Sequence, residues 1–129
     1  MRHTSVVLDA SAILAVLNAE TGAEMVIAAL GDAAVSAVNY AEVVSKLVER
    51  GASAADANEA CTNINVRVVD LDRALAERTG AMRSETRRLG LSLADRACLA
   101  LAERERVPAL TSDRSWLGAV PHIEVHAIR

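Results

Sequence analysis

Short apolar runs alternate along this chain with longer helix-like stretches, and each run is bounded by polar or small residues. The runs "SVVL" (5–8), "AAVSA" (33–37), "VRVVDL" (66–71), "PALT" (108–111) and "IEVHAI" (123–128) read as buried strands. Between them, residues 11–20, 21–31, 39–51, 53–64, 72–90 and 93–107 read as helices. Gly31 and Gly51 follow two of these stretches as C-terminal stops. Strands separated by helices imply crossover connections, and so a single α/β/α domain over residues 1–129 with a mostly parallel central sheet. Ligands of such sheets sit beyond the carboxyl ends of the strands.

Four acids fall where that edge is expected, and each also has a structural explanation. Asp9 ends the first strand, beside the small residues Ala10, Ser11 and Ala12, and is a natural N-cap for the next helix. Asn39 and Glu42 have the spacing of a capping box, the stronger reading for Glu42 taken alone. Asp95 lies on a nearly all-apolar helix, on one face with Cys98, Leu99 and Ala102, and could form a box with Ser92. A cap returns roughly 1 kcal/mol, whereas burying an unpaired carboxylate costs several, so a compensating cation fits Asp95 better. Asp113 follows the fourth strand, after the hydroxyls of Thr111 and Ser112, and could cap a short helix.

Their joint placement carries the argument. Strand ends and the starts of the following helices share one sheet edge, so Asp9, Glu42, Asp95 and Asp113 can converge there. Four clustered carboxylates raise one another's pKa unless a multivalent cation neutralises them. An all-oxygen donor set points to Mg²⁺, with Mn²⁺ as a substitute, and Glu42 could bind through water. Such a site suits phosphodiester hydrolysis by a metal-activated water.

Composition changes the picture at three points. Aromatics are 2% of the chain, Tyr40 and Trp116 alone, which excludes base stacking as the main way of holding single strands. Both rings read as packing residues. The formal charge of −3 argues against a general nucleic-acid coat, yet setting the four acids aside raises it to +1, so a polyanionic substrate stays open. Cys61 and Cys98 read as buried free thiols, which suits a cytoplasmic protein. No membrane span or leader is expected, because the apolar part of "MRHTSVVLDASA" is only three residues long.

Basic residues supply candidate phosphate contacts. Arg96 and Arg114 each adjoin a proposed site acid and Arg87 lies with Arg83 and Arg88 along one stretch of the long helix; Arg87, Arg96 and Arg114 are the candidates, and a solvated helix face is the alternative for Arg83, Arg87 and Arg88. Arg96 could instead point away, since adjacent helix residues diverge by about 100°. His3, His122 and His126 show no ligand spacing and are expected at the surface.

The order "VVLDASA", "NYAEV", "LSLADRACLALA", "ALTSDRSW" resembles the PIN-domain ribonucleases, and within them the VapC-type toxins of toxin–antitoxin pairs. The resemblance covers nearly the whole chain. It implies a metal-dependent RNA endonuclease with Asp9, Glu42, Asp95 and Asp113 as its acidic quartet, and with Ser11 and Thr111 as supporting hydroxyls. It further implies a tRNA or ribosomal RNA substrate cut to a 5′-phosphate and a 3′-hydroxyl, a homodimer, and a small VapB-type antitoxin whose C-terminal segment fills the groove. One departure is Ala94, where many relatives carry Gly. Two other classes compete. A phosphoacceptor or phosphatase would want a late-strand lysine or a second Asp at position 11, and this chain has only Lys46 and Ser11. A non-catalytic PIN-like interaction module would not need the intact quartet.

Overall fold

A computed structural model describes residues 3–129. Met1 and Arg2, the start of the segment weighed as a leader, lie outside the described residues. All five apolar runs form strands: β1 (Val6–Leu8), β2 (Ala33–Ser36), β3 (Arg67–Val69), β4 (Ala109–Thr111) and β5 (Val125–Ala127). They build one sheet in the order β3-β2-β1-β4-β5, and every neighbouring pair is parallel. From β1 the chain steps outward to β2 and β3, then returns to lay β4 and β5 on the other side. The order therefore reverses between β1 and β4, which is where parallel sheets open a ligand crevice.

The register puts Val7 opposite Ala34 and Ala109, and Leu8 opposite Val35 and Leu110. Successive side chains leave a strand on opposite faces, so each row serves a different core. Val7, Ala34 and Ala109 pack with Leu75 and Met82 of α5 (Arg73–Thr86) and with Cys98–Ala102 of α6 (Leu93–Glu105). Leu8, Val35 and Leu110 face Ile13 and Leu14 of α1 (Ala10–Leu17) and Val26 of α2 (Ala23–Ala29). The same core takes in Val43 of α3 (Ala37–Glu49) and Cys61 of α4 (Ala54–Asn63). Alanines at 33, 34, 97, 100, 102 and 109 are all buried. Side chains this small let helix backbones lie close to the sheet, which explains a full core built almost without aromatics. Cys61 and Cys98 are buried free thiols, as expected.

Two helix boundaries differ from the sequence reading. Helix α3 begins at Ala37, because Ser36 caps it by accepting from the Val38 N–H at 3.2 Å. Asn39 is therefore inside the helix and forms no capping box with Glu42. Gly51 stops α3 in the left-handed region at φ +108°, but Gly31 sits within a 3-10 turn (Leu30–Asp32) that leads directly into β2. No helix among the described residues is long and apolar enough to cross a membrane.

Helices α5 and α6 run antiparallel. Asp72, at the start of α5, accepts from Arg104 at 2.8 Å, and the Thr79 carbonyl, mid-helix, accepts from Arg96 at 3.2 Å. The 3-10 turn Arg87–Leu89 and Gly90, left-handed at φ +64°, then reverse the chain and deliver Asp95 into the first turn of α6.

Candidate active site

Asp9 leaves β1 in an extended conformation and caps α1. Its Oδ1 accepts from the Ala12 N–H at 2.8 Å and from the Ser11 hydroxyl at 2.7 Å, while Oδ2 accepts from the Thr111 hydroxyl at 2.6 Å. The carboxylate is 5% exposed, and no Lys, Arg or His among the described residues pairs with it. Burial pushes its pKa up to about 6 against the three hydrogen bonds that favour the charged form, and the Asp95 charge adds to the rise.

The ends of β1 and β4 are laced together. Ser11 Oγ accepts from the Ser112 N–H at 2.9 Å, and Thr111 Oγ1 accepts from the Asp113 N–H at 3.0 Å. Both hydroxyls named from the sequence therefore donate one hydrogen bond to Asp9 and accept one from a backbone N–H just after β4, which fixes the Asp9 carboxylate from two sides.

Asp95 is half-buried and forms the capping box weighed from the sequence. Its Oδ2 accepts from the Ser92 N–H at 3.0 Å, and its own N–H donates to Ser92 Oγ at 3.1 Å. Glu42 is half-buried on α3. The Cys98 thiol of α6 is fully buried. Its pKa is raised well above the usual range, first by burial and then by the charges of Asp9, Asp95 and Glu42. Asp113 is exposed, and its carboxylate is turned onto Ser115, accepting from the backbone N–H at 2.9 Å and the hydroxyl at 2.7 Å. Only its backbone joins the Asp9 network.

Among the described residues, no three His, Cys, Asp or Glu side chains stand close enough to hold one ion between them. The donor set nonetheless suits a hard divalent cation. Among the described residues the buried Asp9 carboxylate has no counter-charge, its hydrogen-bond partners are hydroxyls and a backbone N–H, and the Asp95 charge acts on it.

Arg96 requires a correction. It is buried, and its guanidinium donates to the carbonyls of Ser92, Thr79 and Gly80, so it clamps α6 to α5 and offers nothing to a phosphate. Arg83, Arg87 and Arg88 are exposed. Arg114 is also exposed and donates to the Arg129 carbonyl at 3.2 Å. Tyr40 is half-buried against the α1–α4 core and Trp116 is buried against α6, so both pack. His3, His122 and His126 lie at the surface, the last two paired with Glu103 and Glu124. A groove of about 510 Å³ lined by Glu103, Arg106, His122 and Glu124 opens beside the residues that precede β4 and β5, at the sheet edge opposite Asp9. Sequence reasoning missed Asn39 as anything but a cap. It is buried, and its Nδ2 donates to the Ala94 carbonyl at 3.0 Å, joining α3 to α6.

Several solved components of toxin–antitoxin pairs share this fold. A toxin–antitoxin complex from Klebsiella pneumoniae superposes with a TM-score of 0.75 at 20% identity, covering 97% of this chain and 98% of that one. DNA-bound VapBC from Salmonella typhimurium gives 0.73 at 20% identity, covering 98% and 99%. Mycobacterium tuberculosis VapC20, described as a Sarcin-Ricin loop cleaving toxin, gives 0.74 at 20% identity, covering 89% and 95%. At these identities the likeness extends to the fold. No curated protein matches the chain in sequence. The sequence profile of the PIN domain, however, matches residues 6–121, and on that match the chain belongs to the PIN domain family.

Proposed function

We propose that residues 1–129 form one nuclease domain, a divalent-metal-dependent endoribonuclease that acts as the toxin of a type II toxin–antitoxin pair. The observation that carries this reading is Asp9: a carboxylate buried at the sheet's switch point, with its pKa raised and no cationic partner, beside a second acid. Structural capping would not require that burial. Asp9 and Asp95 would hold Mg²⁺ or Mn²⁺, with Glu42 and Asp113 binding directly or through water. When bound, such an ion polarises a phosphodiester and lowers the pKa of a water ligand.

The remaining work belongs to the chain. Ser11 and Thr111 hold Asp9 in one rotamer, so its two oxygens are presented without reorganisation. The capping box holds Asp95 in the same way. Arg87 and Arg114, exposed near the ends of the elements that carry Asp95 and Asp113, would position RNA phosphates without reading sequence. The RNA-cleaving relative supports an RNA substrate, tRNA or ribosomal RNA, and the complexes of similar fold support a VapB-type antitoxin as partner. A homodimer in the cytoplasm completes the reading.

The test is cleavage of total cellular RNA with Mg²⁺, with EDTA, and after Mn²⁺ is restored, with Asp95→Asn as control. Cut ends bearing 5′-phosphates should appear only with metal and only in the unmutated protein. Cleavage undiminished by EDTA overturns the assignment.

A further inference from the structure

One buried polar side chain near the acids is left without an explanation by the reading above. Asn39 is 1% exposed and lies on α3 one turn before Glu42, so the two share a helix face. Its Nδ2 donates to the carbonyl of Ala94, the residue before Asp95. Chemistry fixes the orientation of this amide, because only its nitrogen can donate to a carbonyl. Its Oδ1 must then face elsewhere, and there it is shut off from solvent and accepts from nothing among the described residues. A buried acceptor without a donor is unfavourable, and an apolar side chain of the same shape would be no worse for stability. Packing alone therefore does not account for an asparagine here. No donor among the described residues reaches Oδ1, so its partner has to be a water or a ligand.

We propose that Asn39 is a positioning residue of the acid site: Nδ2 ties the first turn of α6 to α3 and so sets Asp95 against Glu42, and Oδ1 accepts from a water that completes the site. This rests on the metal-dependent reading above. Ala94 needs no help from Asn39 to stay helical, since its carbonyl lies within the regular bonding of α6. The contact therefore acts on where α6 starts relative to α3, and through that on the two acids.

The experiment compares wild type, Asn39→Leu, Asn39→Thr and Asp95→Asn by thermal unfolding, by Mn²⁺ binding without RNA (free Mn²⁺ read by electron paramagnetic resonance), and by kcat and KM for a cleaved RNA. Asn39→Leu should unfold no earlier than wild type yet bind Mn²⁺ about tenfold more weakly and lose a similar factor in kcat, with KM unchanged. Asn39→Thr, which restores a hydroxyl that can donate and accept, should recover part of both losses. If Asn39→Leu does not fold, Asn39→Thr carries the test alone, with intermediate Mn²⁺ affinity expected and wild-type affinity overturning the proposal. Wild-type Mn²⁺ affinity and kcat in a folded Asn39→Leu would also overturn it while leaving the nuclease reading intact. Failure of wild type itself to bind Mn²⁺ or cut RNA, indistinguishably from Asp95→Asn, would sink that reading and this inference with it.

Discussion

Asp9 is both a cap and a stored charge. As a cap it satisfies the Ala12 N–H, and as a buried acid it resists ionisation until about pH 6. Its carboxyl binds a proton more tightly in the folded chain than near its ordinary value of 3.8, so the stability it contributes is complete below about pH 4 and is lost as pH rises through 6. The gap corresponds to about 3 kcal/mol at neutral pH. Asp9→Asn keeps the shape and removes the charge. Urea denaturation in EDTA at pH 7.5 should find it more stable than wild type by about 1–3 kcal/mol, with the difference vanishing near pH 4. The same variant should not cut RNA. Equal stability of the two proteins at pH 7.5 would mean that Asp9 is already compensated without metal.

At the scale of elements, α6 and its partners decide which charges face outward. A central helix has no solvent face for Arg96, so its guanidinium turns onto the carbonyls of α5, while Arg87 in the exposed turn stays free for a polyanion. The two should separate cleanly. Arg96→Ala should destabilise the fold by about 1–3 kcal/mol, because buried carbonyls lose their donor, and leave the salt dependence of RNA affinity unchanged in the folded fraction. Arg87→Ala should leave stability unchanged and reduce the slope of log affinity against log salt by about one phosphate contact. An unaltered slope removes Arg87 from the phosphate contacts. The hydrophobic pattern could not place the start of α3. Asn39 and Ser36 are equally good caps by residue type, and only the path of β2 into the helix selects Ser36.

For the whole molecule, the strand order puts β1 and β4 side by side although about a hundred residues separate them, and the helices return their first turns to the same edge. Asp9 therefore ends β1 buried and under the charge of Asp95, and binding of a divalent ion should offset the cost of ionising it. At pH 7.5, Mg²⁺ should raise the unfolding temperature of wild type in a concentration-dependent way. Asp9→Asn and Asp95→Asn should show little or none of this response, as scanning calorimetry would record. A rise of equal size in both variants would assign the effect to nonspecific screening.

The chain's own pattern determined the five strands, the parallel sheet and the edge from which Asp9 leaves β1, because apolar periodicity and crossover length are local properties. It also offered capping for Asp9 and Asp95, and the structure shows both acids in caps. Tertiary packing alone decided that Arg96 is internal, that Asp113 turns onto Ser115, and that Asn39 bridges α3 and α6. Each of these depends on which neighbour a side chain meets across the fold, and no spacing along the chain encodes that.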